Sequence, residues 1–161
     1  MGADSLLADL VGHEVAARLD GVLAPTVHAG AGPAGALSVR DNTLTDMALG
    51  LAESLAETGF RLIVFLPIHG GNVEPLELAV SRFNERSNSA RACAPRGDVG
   101  SEPGSHSGKW LTSVMLAFRA DVVELEEADP NLRAELSEAD PERGAAYFER
   151  FVSSIVEQAR A

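Results

Sequence analysis

The chain has 161 residues, 45% hydrophobic and 23% charged, a balance that fits one folded domain over residues 1–161 and excludes disorder as the first reading. Its net charge of −11, from 24 acidic and 13 basic residues, repels phosphate backbones and anionic lipids, so neither nucleic acid nor membrane is an expected partner. The single cysteine, Cys93, leaves no intrachain disulfide and suits a reducing compartment, the cytoplasm, and no basic stretch at the N-terminus leads into an apolar block.

Taken in chain order, residues 5–19 are predicted to be an amphipathic helix, with Leu7, Leu10, Val11 and Val15 at helical spacing and Asp4 or Ser5 as N-cap. Gly21 ends it, and Val22 to Val27 reads as a short strand. A loop rich in Gly, Ala and Pro runs from His28 to Ala36. The second helix is expected to start near Thr43, whose hydroxyl and Asp46 have capping-box spacing, with an apolar face of Leu44, Met47, Ala48, Leu51 and Leu55. Gly59 stops it.

Arg61 to Leu66 is an apolar run without alternation, the pattern of a parallel strand covered on both faces. The longest apolar stretch, Leu62 to Ile68, is broken by Pro67 and is too short to cross a bilayer. It leads into His69-Gly70-Gly71-Asn72. A helix follows with Pro75 in its first turn and Leu76, Val80 and Phe83 on one face. Residues 87–108 form a long connection with at most a weak strand at Arg91 to Ala94. Trp110 to Phe118 resumes a helical pattern, and the last helix is expected at about Glu142 to Arg160, with Phe148, Val152, Ile155 and Ala159 facing inward. Helices alternating with strands in this order predict a three-layer α/β/α fold with a mainly parallel sheet.

Ligands of open parallel sheets sit beyond the carboxyl ends of the strands, which is where His69 falls. A histidine there is a candidate metal ligand or general base, or a side chain bonded to a neighbouring loop, and Asn72 can cap the next helix. Lys109 is the only lysine, so Schiff-base chemistry would have to use it.

Several segments resemble the creatininase family, in register along the whole chain. Residues 59–72, Gly-Phe-Arg-Leu-Ile-Val-Phe-Leu-Pro-Ile-His-Gly-Gly-Asn, are similar to its central strand and Asn-Gly-His-Gly-Gly-Asn turn, with Pro67 and Ile68 replacing Asn-Gly. His106-Ser-Gly-Lys-Trp-Leu-Thr-Ser resembles its His-Ala-Gly-x-x-Glu-Thr-Ser segment. Gly35-Ala-Leu-Ser-Val39 resembles its Gly-Thr-Ile-Ser-Leu piece, Ala139 to Glu149 the start of its C-terminal helix, and Gly2 to Leu7 the point where its N-terminal metal loop enters the first helix.

The resemblance implies hydrolysis of a C–N amide bond in a small cyclic or linear amide, with one or two divalent metals (zinc, manganese or iron) activating water. Position by position it makes Asp4 and His69 metal ligands and His106 the catalytic residue near the reacting bond. Asp4 as a helix N-cap and His106 as a loop histidine are the alternatives. The family's Glu-His loop has no counterpart, because the chain begins at Met1. Its Glu of Glu-Thr-Ser is Leu111, and a further Glu-His pair is replaced by Ala31-Gly32-Pro33-Ala34. Lys109, where the family often has an acid, reads as an exposed lysine, Thr112 and Ser113 as capping or packing residues, and His13 and His28 match no ligand. Catalytic zinc sites use three protein ligands plus water, so an impaired hydrolase is expected. The alternatives are a non-catalytic binding or assembly subunit, or a truncated gene product. Loss of a sheet neighbour beside Val22 to Val27 and Leu62 to Leu66 adds an expectation of homo-oligomers.

Overall fold

The computed structural model describes residues 3–32, 37–100 and 107–161. These residues form α1 (Ala3–Arg18), α2 (Asp41–Glu57), β1 (Leu62–Val64), α3 (Val73–Arg86), β2 (Arg91–Cys93), α4 (Lys109–Phe118), α5 (Arg133–Leu136) and α6 (Pro141–Arg160). None of the described helices is long and apolar enough to cross a membrane. The chain divides into two compact units, one of residues 1–96 with 157–161 and one of residues 97–156.

The first unit is built on α2, α3 and a parallel pair of strands. β1 and β2 run parallel with Leu62 opposite Arg91, Ile63 opposite Ala92 and Val64 opposite Cys93. The strand expected from Arg61 to Leu66 is therefore three residues long, although the Arg91 N–H to Arg61 carbonyl and Phe65 N–H to Cys93 carbonyl bonds extend the pairing at both ends. Among the described residues, Ala31, Leu44, Ala48, Leu76 and Ala79 form one apolar cluster, and Ala52, Ile63, Phe83 and Ala92 form another. The buried hydroxyl of Thr45 lies 3.0 Å from the Asp41 carbonyl and 3.1 Å from that of Pro75, tying α2 to α3.

Helix α2 begins two residues before the predicted Thr43, so the capping box does not form and no side chain caps it at Arg40. Its buried face is Leu44, Thr45, Ala48 and Ala52, while Met47 and Leu51 point outward. The shift follows from where α3 lies: a helix buries the face its neighbour covers. Its end matches expectation. Gly59 takes φ 105°, its N–H reaches the Ala56 carbonyl, and the Phe60 N–H reaches Leu55, the double bond of a Schellman stop.

Val22 to Val27, predicted as a strand, has no regular secondary structure. It is fixed by side chains instead. Thr26 Oγ1 donates to Asp9 of α1, and Leu23 fills the space left by Gly12, where an added Cβ would lie 2.7 Å from Leu23 Cδ1. The segment ends in a single parallel bridge, Gly30 to Ser38.

The outer edge of β2 is closed by a side chain. Arg91 N–H and the Cys93 carbonyl point toward β1, so the backbone groups of Ala92 point away from it. Asn84 of α3 meets both: its Nδ2 donates to the Ala92 carbonyl at 2.9 Å and its Oδ1 accepts from the Ala92 N–H at 2.8 Å. One carboxamide thus stands in for a third strand.

The second unit holds α4, α5 and most of α6. Asp140 caps α6 by accepting from the Arg143 N–H at 2.8 Å, and Pro141 takes the first helical position. Helices α4 and α6 meet backbone to backbone at Gly144, where a Cβ would come within 1.9 Å of the Ser113 carbonyl oxygen. The Trp110 and Phe151 rings lie 5.4 Å apart, those of Phe118 and Phe148 4.6 Å.

At the end of the strand–turn segment, Gly71 and Ala31 touch through their backbones. A Cβ on Gly71 would lie 2.3 Å from the Ala31 carbonyl oxygen, and one on Gly30 would lie 2.5 Å from Asn72 Oδ1. Gly70 has open space around it. Chemical denaturation is expected to show Gly71→Ala destabilised by about 2 kcal/mol or more and Gly70→Ala changed by less than ~0.5 kcal/mol. Equal effects would mean that the contact does not constrain the turn. Asn84→Ala, which strips both partners from Ala92, is expected to cost about 1–3 kcal/mol in the same measurement.

Candidate functional site

The strand β1 delivers the chain to Pro67 and Ile68, and His69 then takes an extended conformation, φ −105° and ψ 138°, before the single 3-10 turn Gly70–Asn72. His69 is half-buried. Its Nδ1 accepts from the Gly71 N–H at 3.1 Å, and its Cε1 faces Gly32, 3.8 Å from where a Cβ there would lie.

Asn72 was expected to cap α3, but it makes no side-chain cap bond there. Its Oδ1 accepts instead from the backbone N–H of Ala31 at 2.8 Å. The residue bridges two loops 41 positions apart in sequence, so it fixes the turn that carries His69 rather than the helix that follows. The sequence pointed to Gly71 as a place of close backbone approach and to Asn72 as a cap, but it did not reveal Gly30 or the partner that Asn72 takes. The Gly-Gly-Asn spelling was visible; its contact with Gly30 and Ala31 was not.

Asp4 lies inside the first turn of α1, which begins at Ala3, rather than capping it. A carboxylate there faces the positive end of the helix dipole. His106 lies outside the described residues. Among the described residues, no three His, Cys, Asp or Glu side chains come together in a way that could hold a metal ion, so neither Asp4 nor His69 belongs to a three-ligand group there. Leu111 sits half-buried in α4 and offers no donor. The described residues therefore do not fit the divalent metal that the resemblance implies.

Lys109 is not the exposed lysine expected. Its side chain is 15% exposed and its Nζ lies 3.0 Å from Glu138, while its backbone N–H donates to Glu135 at 2.8 Å. Both nitrogens are thus taken up by carboxylates of the same unit. Ser113 packs as expected: it is buried, and its Oγ accepts from the Asp140 N–H at 3.1 Å. Burial pushes the Cys93 thiol up, with Arg91 only partly offsetting it, which lowers its thiolate fraction and argues against nucleophilic use. A shallow cavity of about 190 Å³ is lined by Glu53, Ala56, Glu57, Phe83, Arg86 and Ser87. It contains none of the candidate residues, and Arg86 and Glu53 pair across it at 2.9 Å.

A family model described as creatinine amidohydrolase matches residues 1–155. The mycofactocin precursor peptide peptidase of Mycobacterium ulcerans (strain Agy99) is 32% identical over 157 residues, covering 88% of this chain. The chain spans 60% of that relative's length. Among solved structures, a creatininase described with Mn gives a TM-score of 0.77 at 21% identity, covering 99% of this chain and 83% of the other. A mutant creatininase of Zn-Zn type gives 0.73 at 21% identity with the same coverage. At such identities the structural likeness speaks for the fold: helices around a small parallel sheet, the creatininase α/β fold. With a family model running nearly end to end and a relative above 30% identity, the chain belongs to the creatininase family.

Proposed function

We propose that this chain is an amidohydrolase-like protein of the creatininase family, acting on the C–N bond of a peptide, with a metal site too sparse for it to turn over substrate by itself. The observation that carries the substrate class is the 32% identity to a peptide peptidase, against 21% to the creatininases. In this reading residues 1–161 act as one creatininase-like domain. The family match across both compact units supports that. A cytoplasmic, self-associating protein is part of the same reading, supported by the lone Cys93 and by the exposure of Val22 (78%) and Leu37 (75%).

The impairment follows from ligand chemistry. The neighbouring creatininases are described with zinc or manganese, and such cations shed water only when several protein donors, imidazoles and carboxylates, replace it. Asp4 and His69 are the two described residues on which binding would rest, with His106 as proton carrier, and Leu111 places carbon where the family has a carboxylate. A second reading, a non-catalytic binding or assembly subunit, is favoured by the lack of a three-ligand group among the described residues.

Purified chain, dialysed after exposure to zinc or manganese, is expected to retain well under one metal per chain by elemental analysis. A site saturated at a hundred times its Kd would add about 2.7 kcal/mol, or roughly 5–10 °C in Tm; a change below ~1 °C is expected. Mass spectrometry of short peptides and of creatinine, each incubated with excess metal, should find any residual turnover on peptides. Stoichiometric metal together with rapid cleavage would contradict the impairment, and turnover of creatinine alone would contradict the substrate class.

A further inference from the structure

The side chain that the family resemblance makes a metal ligand is engaged by its own turn. His69 has the three marks of an N-cap: extended backbone at φ −105° and ψ 138°, a side-chain acceptor, and a backbone donor two residues on, the Gly71 N–H at 3.1 Å from Nδ1. The turn it caps is closed from the same residue, since the Asn72 N–H donates to the His69 carbonyl at 2.9 Å. The geometry is held from the far side too, because Gly71 abuts Ala31 and Asn72 is bonded to it.

A neutral imidazole carries one proton and one in-plane lone pair on its two nitrogens. With Nδ1 accepting, the proton sits on Nε2, and the lone pair a cation would need is already directed at Gly71. We infer that His69 is a positioning residue that caps the Gly70–Asn72 turn in its Nε2–H form, and that a divalent cation reaches it only by displacing that hydrogen bond. Coordination through Nδ1 removes the acceptor directly. Coordination through Nε2 moves the proton to Nδ1 and sets one N–H against another. Either route breaks the cap, so weak metal binding has a cause beyond the ligand count. The inference rests on the reading of His69 as the family's turn histidine, but its test does not.

The test uses metal-free, full-length chain and three proteins: wild type, His69→Ala and His69→Asn. Asparagine places a carbonyl oxygen near the position of Nδ1 and can cap the turn, but its side chain is a poor transition-metal ligand. Thermal melts should put His69→Asn within ~1 °C of wild type and His69→Ala about 2–4 °C lower, the loss of one cap in a chain of this size. Long-range proton–nitrogen NMR of the wild type should show the His69 Nε2 protonated and Nδ1 bare, and saturating zinc should shift the Gly71 amide only where it binds His69. A protonated Nδ1, or His69→Asn as unstable as His69→Ala, would overturn the inference. So would a His69→Ala variant as stable as wild type. If His69→Ala does not fold, His69→Asn and the tautomer still decide. Failure of peptide cleavage touches only the proposed function, since no arm of this test measures turnover.

Discussion

Two backbones meet at Gly71 and Ala31 with no space for a side chain between them, and the arrangement around His69 depends on that contact. Asn72 closes it by accepting from Ala31; Gly30 makes room for Asn72; His69 caps the turn from inside. A loop following a strand would ordinarily be among the least constrained parts of a domain. Here it is held at both ends, by β1 and the start of α3 on one side and by the Gly30–Gly32 segment on the other. The turn is thus held by hydrogen bonds and by close backbone packing.

The same economy appears at the sheet. Two strands of three residues make a minimal ladder, and a two-stranded pair needs cover to be stable. Cover comes from α2 and α3 through Ile63, Ala52, Phe83 and Ala92, and Asn84 occupies the outward backbone groups of Ala92. Asparagine does the tertiary work at both places, once on a loop and once on a strand edge. Its carboxamide has the donor–acceptor pattern of a peptide group, so it can substitute for backbone that is not there.

Much of this was legible in the sequence. The periodic apolar residues located α1, α3, α4 and α6, Gly59 marked the end of α2, and the uninterrupted Leu-Ile-Val run marked β1. What failed had a common cause. The strand at Val22 to Val27 and the capping box at Thr43 were read from local composition, whereas the structure there is set by partners: α1 takes up Thr26 and Leu23, and α3 decides which face of α2 is buried. At the site, His69 and its two glycines could be found by spelling. The roles of Asn72 and Lys109 could not, because their partners lie 41 and 29 residues away and no periodicity links them.

Membership of the creatininase family and the lack of a three-ligand group among the described residues are therefore compatible: the fold and the turn are maintained by packing and by amide hydrogen bonds, neither of which requires a cation. That claim can be tested most directly by a crystal structure of the chain soaked in zinc, with anomalous scattering recorded at the zinc edge. No full-occupancy peak is expected beside His69, and the bond from the Gly71 N–H to Nδ1 should be intact. A fully occupied zinc at about 2.0–2.1 Å from a His69 nitrogen, completed by two further protein ligands with the Gly71 bond broken, would contradict it.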